Sequence, residues 1–288
     1  MSMDQTPLTP PPAGPSTAGS VPAPQPWRPR ARWITVVTAI VGGLALASAG
    51  GSAAVAATID LTRTESMRQS VDVRGVTSVD LEASASEVRV EFGDVDEAEL
   101  SVQGGGGSWT FRRDGYELVV RSPDTVFGWW FAGWSADNRS VVLTLPRGLE
   151  GVDASLELSA GSLDVSGSYG ELDTEVSAGN LSVDASASSL DATLSAGRAD
   201  LVLDRVDSAE FSVSAGDLTA ELRGAAPRET LVDLSAGSAD ITLPSGDYAI
   251  SQDVSAGNFD NRLETSPASR NSIEVTLSAG SVTLRPGR

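Results

Sequence analysis

The sequence predicts an all-β fold, a β-solenoid built from stacked strand repeats, and three observations carry that expectation. The first is a tripeptide, Ser-Ala-Gly, that recurs seven times, ending at Gly161, Gly179, Gly197, Gly216, Gly237, Gly257 and Gly280. Spacings of 18 to 23 residues between those glycines mark a stack of similar units, each covering its neighbour's apolar face. The second is a two-residue alternation on both sides of every corner. Leu158, Val176, Leu194, Val213, Leu234, Val254 and Leu277 stand three before the glycine, and Leu163, Leu181, Ala199, Leu218, Ala239, Phe259 and Val282 stand two after it. Period two is the signature of strands with one buried face. The third is the lack of helical periodicity outside the N-terminal quarter.

Taken along the chain, residues 1–32 are proline-rich and nearly devoid of large apolar groups, which predicts a disordered tail. Trp33 to Ile59 follows without a single charge. Its 27 residues exceed the roughly 20 that cross a bilayer core as a helix. Arg28, Arg30 and Arg32 before it and Asp60 after it place the N-terminus in the cytoplasm and the rest outside. A cleavable signal peptide is the alternative, since Ala54-Val55-Ala56 resembles a cleavage site. Either way the chain is exported, and the expected location is the cell membrane, single-pass.

Residues 60–288 then form the extracytoplasmic β-repeat domain. Its repeats start with a weaker eighth unit around Ser84-Ala85-Ser86, with Val79, Leu81, Val88 and Val90 at the repeat offsets. An aromatic-rich, irregular insertion is expected over about 93–150. Within each corner, glycine suits a bend that needs unusual backbone angles. Alanine is expected to continue the inner row, and the serine hydroxyl to satisfy backbone groups of the turn. Eight coils at about 4.8 Å each give a stack on the order of 40 Å.

Composition narrows the function classes. The formal net charge is −19. Three Arg and one Asp give the tail +2, so the remainder carries −21. That excess argues against nucleic acid, which needs a basic footprint. Cysteine, histidine and lysine are absent, which removes Ser-His-Asp triads, thiol nucleophiles, Schiff bases, P-loops and ordinary zinc sites. No cofactor is expected. Carboxylate chemistry stays open, because 39 Asp and Glu could pair as in glycosidases, but no spacing singles out a pair. One recurrence is Asp164, Asp200, Asp240 and Asp260, each three past a repeat glycine. If successive coils stack in order, a polar ladder results that oxygen-seeking Ca²⁺ could use. A solvated face is the simpler account.

The aromatic segment is the least expected feature. Trp109, Phe111, Phe127, Trp129, Trp130, Phe131 and Trp134 fall within 26 residues and do not alternate as a strand. They predict either a plug covering the solenoid or a contact surface for a bilayer interface, glycan or partner, where Trp is favoured. Phe127, Trp129, Trp130, Phe131 and Trp134 are the candidate contact residues. The last strand, ending near Pro286, is expected to leave an end coil on which another copy could stack, an association that Pro286, Arg285 and Arg288 would oppose.

Ser-Ala-Gly corners between short alternating strands, after one N-terminal apolar segment, resemble the bacterial putative-adhesin family of β-strand repeats, also called toast-rack domains, over roughly residues 70–288. The resemblance implies an envelope-associated, non-enzymatic β-solenoid, some relatives being tied to membrane-stress signalling, and carries over no functional residues. Three functions follow as expectations. The first is a membrane-anchored display surface for an envelope protein or cell-wall component. The others are a self-associating scaffold and a polysaccharide lyase or hydrolase.

Overall fold

The structure, a computed structural model, describes residues 66–104, 108–123 and 140–287. The tail and the apolar segment Trp33 to Ile59 therefore lie outside the described residues, and no described helix is long and apolar enough to cross a membrane. What is described is almost wholly strand, as the alternation predicts.

Six strands build the start of the domain: β1 (Ser66–Val71), β2 (Ser78–Gly93), β3 (Ala98–Gln103), β4 (Thr110–Asp114), β5 (Glu117–Arg121) and β6 (Ser140–Pro146). A 3-10 turn at Arg147–Leu149 leads into the coils. These comprise β7 (Val152–Val176), β8 (Gly179–Ser186), β9 (Ser189–Asp204), β10 (Ser208–Arg223), β11 (Glu229–Leu234) and β12 (Gly237–Leu243). The chain finishes with β13 (Asp247–Val254), β14 (Asn258–Asn261), β15 (Glu264–Thr265), β16 (Ser272–Leu277) and β17 (Ser281–Pro286).

Each coil is one strand before the corner and one after it, and every such segment lies parallel to its counterpart in the next coil. Coil 208–223 shows why. Ala209, Phe211 and Val213 before the corner, then Leu218, Ala220 and Leu222 after it, are all buried. Each large apolar side chain contributes roughly 1.5–3 kcal/mol relative to exposure. The residues between them face water, so a one-residue slip would expose the whole set.

The corner glycines hold φ between +118° and +152°, a region essentially closed to L side chains. Each also sits against the next: a Cβ on Gly197 would run into the carbonyl oxygen of Gly179, and one on Gly179 into that of Gly161. The rest of the corner differs from expectation. Ala196, Ala215, Ala236, Ala256 and Ala279 are exposed, because the slip in alternation falls on them and turns the tripeptide outward as a ridge. Corner polar groups are met by backbone, with the N–H groups of Ser177, Ser235 and Ser278 donating to Leu158, Val213 and Leu234.

Coil order is a second departure. Before the corner the strands run β5–β2–β7, then β7's second half–β9–β10–β11–β16–β13. After it, β12 pairs with β17 and β17 with β14. The coil latest in sequence, 272–286, is thus wedged between coil 229–243 and coil 247–261, and the last is the end of the stack. Core chemistry explains the inversion. Coil 247–261 places Gln252 and Asn261 where its neighbours place Val275 and Leu284. In sequential order both would be buried between apolar residues without evident partners, at a cost of about 1–3 kcal/mol each. At the end of the stack Gln252 is exposed instead. Insertion also puts Thr276 between Asp233 and Asp253, and Thr283 between Asp240 and Asp260, separating two like-charged pairs.

Among the described residues, the stretch expected to be irregular is largely strand. β1 and β3 are antiparallel, as are β3 and β6, and β4 and β5 form a hairpin. Together they cover the first coil, β2, on both of its segments. Trp109 and Phe111 are buried there, so these two aromatics close the core.

Candidate functional site

Four chain segments meet at one edge of this cap. Ser66, the first described residue, pairs with Gln103, and Gln103 with Ser140. These are neighbouring positions on three adjacent strands, so Ser66 and Ser140 lie roughly 10 Å apart at about 4.8 Å per strand. Thr110 ends the hairpin opposite Arg121. Ser122 then turns onto the first corner, its Oγ accepting from the Ser84 N–H at 3.1 Å. The first described strand therefore begins beside Gln103 and Ser140. Phe127, Trp129, Trp130, Phe131 and Trp134 themselves lie outside the described residues.

The acidic residues sit mainly on outward strand positions. Before the corner, Asp173, Asp191 and Glu210 are direct cross-strand partners, three carboxylates in one ladder. Burial, reinforced by the charges of Asp173 and Glu210, pushes Asp191 up to about 7. Burial also raises Asp173, with Glu175 and Glu171 adding to it, and raises Glu157 beside Glu175 and Glu82. Asp191 could therefore hold a proton near neutrality, the property of a general acid. These carboxylates stand on a broad sheet face, and none of them lines the groove described below.

After the corner, the recurrent aspartates behave otherwise. Register gives Asp164, Ser182, Asp200, Thr219, Asp240, Thr283 and Asp260 in stack order. Hydroxyls alternate with carboxylates, so successive aspartates lie about 10 Å apart. Ca²⁺ needs oxygens at roughly 2.3–2.6 Å, a geometry this ladder does not offer. Among the described residues no group of three or more acidic side chains could hold a metal ion. Arg89 lies against Asp164, and Arg285 bonds Asp240, exposed pairs that contribute about 0–1 kcal/mol each.

One feature was not singled out from the repeat pattern. A shallow groove of about 490 Å³ is lined by Gly167, Asp184, Ala185, Ser186, Asp204 and Arg205. Arg205 has φ +61° and lies against Gly224 of the next coil. Its guanidinium donates to Ser186 Oγ at 3.0 Å, and Ser186 Oγ to Ser168 Oγ at 3.0 Å. Two carboxylates, hydroxyls and a guanidinium make this a hydrogen-bonding surface. The sequence-level clue was an arginine where the next turn carries glycine.

No family model matches the chain, and neither does any curated protein. Among solved structures it is similar to a putative adhesin from Parabacteroides merdae, at 12% identity and a TM-score of 0.43 over 79% of this chain and 98% of that one. A putative adhesin from Bacteroides fragilis shares 12% identity at a TM-score of 0.40, over 76% of this chain and 97% of that one. A putative cell adhesion protein from Clostridium sporogenes shares 12% at 0.37, over 78% and 100%. Similarity at this level bears on neither ligand nor activity.

Proposed function

We propose that the chain is a non-catalytic, membrane-anchored extracytoplasmic β-solenoid that presents a binding surface in the bacterial cell envelope. The observation that supports this reading is the stack of parallel strands whose apolar rows are buried and whose outward positions are polar and largely acidic. If Trp33 to Ile59 is retained as an anchor, Ser66 follows it by seven residues, at most about 25 Å of chain. Aromatic side chains such as Phe127, Trp129, Trp130, Phe131 and Trp134 suit a bilayer interface or the surface of an envelope partner. The coils form an acidic display surface that carries the Arg205 groove.

The absence of histidine, cysteine and lysine from the chain and the open setting of the raised carboxylates favour display over catalysis. A polysaccharide-cleaving reading would need a carboxylate pair in a cleft that excludes water, and the groove that holds Asp184, Asp204 and Arg205 is shallow and open. The test is binding of residues 60–288 to isolated envelope fragments, wild type beside Trp129→Ala/Trp130→Ala, with thermal melts of both proteins. Loss of binding with an unchanged melt supports the aromatic surface. Equal binding moves the surface to the coils, and turnover of wall polysaccharide by the isolated domain overturns the non-catalytic reading.

A further inference from the structure

We propose that coil 247–261 is a displaceable cap with two docking positions, and that insertion of coil 272–286 drives it from the inner to the outer one. The inference concerns the fold itself and is independent of where the protein resides. In the described arrangement the cap rests on β16 and β17, with Ala249 to Val254 opposite Ser272 to Leu277 and Asn258 to Asn261 opposite Ser281 to Leu284. Coil 229–243 presents the same docking surface one level down, since β11 and β12 pair with β16 and β17 in the same register. Ile250 would then cover Thr230, Val254 would cover Leu234, and Phe259 would cover Ala239.

The corner fits both places. Gly257 packs on the carbonyl of Gly280, and Gly280 packs on that of Gly237. Removing the wedge leaves Gly237 offering the surface that Gly280 offers now. The connection permits the move, because Pro244 to Gly246 already spans two levels and one level is shorter. The inner position is filled first as the chain emerges, because residues 247–261 precede 272–286.

Two forces then favour displacement. The inner position sets Asp260 beside Asp240 and Asp253 beside Asp233, whereas the wedge interposes Thr283 and Thr276. The wedge also brings Ile273, Val275, Leu277, Val282 and Leu284 into the core, all buried. Contacts fasten it afterwards: the Gly287 N–H donates to the Leu243 carbonyl at 2.7 Å, Ser245 Oγ donates to the Gly287 carbonyl at 3.0 Å, and Arg285 bonds Asp240. The last two coils are thus one two-state element.

The absence of cysteine makes disulfide trapping clean. Ser238, Ser281 and Asn258 are successive partners on the outer face. A disulfide needs Cα atoms about 4.4–6.8 Å apart, which adjacent strands at about 4.8 Å provide and second neighbours at about 9.6 Å do not. In the full-length chain under mild oxidation, Ser238→Cys/Ser281→Cys is expected to cross-link and Ser238→Cys/Asn258→Cys is not. With a stop after Thr265, Ser238→Cys/Asn258→Cys is expected to cross-link. A second route keeps the chain intact: Gly280→Val sets a side chain against the Gly237 carbonyl, blocks insertion, and is expected to give the same 238–258 link. Arg198→Cys/Asp217→Cys, partners in β9 and β10, reports that the earlier coils remain folded. Absence of the 238–258 link in both backgrounds while the 198–217 link forms overturns the proposal. So does a 238–258 link in the unmodified full-length chain at the yield of the 238–281 link.

Discussion

Replacing Asp191 with Asn is expected to stabilise the protein at pH 8 and to leave it nearly unchanged at pH 4. Asp191 lies between Asp173 and Glu210 in one ladder and in the folded state titrates near 7 rather than 3.8. The folded chain therefore holds a proton that the unfolded chain has already released between about pH 4 and pH 7. Stability falls as pH rises through that window, and the whole penalty is present above it. At about 1.4 kcal/mol per pH unit the ceiling is roughly 4 kcal/mol. The carboxylate is only partly buried, and solvent screening brings the expected gain to about 1–2 kcal/mol. For a domain of this size that is a rise in Tm of roughly 3–6 °C. Thermal melts by circular dichroism from pH 4 to pH 8 read it directly. Asp233→Asn is the control, because the ladder neighbours of Asp233 are Ser212 and Thr276, and it should show no such gain. A Tm at pH 8 that is unchanged or lower in Asp191→Asn would refute the reasoning.

Other outcomes follow from the same contacts. Gly197→Ala forces a side chain into a φ of +129° and against the Gly179 carbonyl, so urea denaturation should show a loss of roughly 2–6 kcal/mol. Ala196→Gln, on the exposed ridge, should stay within about 0.5 kcal/mol. Phe111→Ala should cost about 3–5 kcal/mol by opening the cap's core, whereas Tyr116→Ala, at a side chain 74% exposed, should leave the midpoint unchanged. Gln252→Leu should enlarge the apolar patch of partly buried Ile250, Val254 and Phe259 at the stack's end. Light scattering is then expected to show concentration-dependent association of this variant, and a monodisperse variant would mean that the end is already closed.

Strand character and coil boundaries were legible because burial in a stacked sheet imposes a period of two, and each corner requires a glycine. Leu158, Leu163 and their equivalents are buried as the alternation predicts, except Val254 and Phe259 in the end coil, which are only partly buried. Coil order was not read, because a repeat pattern states that coils stack without stating which lies on which. The signal was present in Gln252 and Asn261, polar residues at core positions that only the end of a stack tolerates. Exposure of the corner alanines was missed because the alternation slips inside the tripeptide, so neither flanking row continues through it. The cap read as irregular because its strands are short and interrupted by Gly-rich stretches. Of the aromatic segment, Trp109 and Phe111 proved to be core. Phe127 to Trp134 lies outside the described residues.

The central claim is that the repeats stand outside a membrane that the N-terminal segment crosses, and accessibility of single cysteines in spheroplasts tests it most directly. The natural chain has no cysteine, so Ser16→Cys in the tail and Ser272→Cys on exposed β16 each give one reporter in the full-length protein. With a membrane-impermeant maleimide, Ser272→Cys is predicted to label before lysis and Ser16→Cys only after it. Protection of Ser272→Cys in intact spheroplasts, or labelling of Ser16→Cys there, would contradict the account.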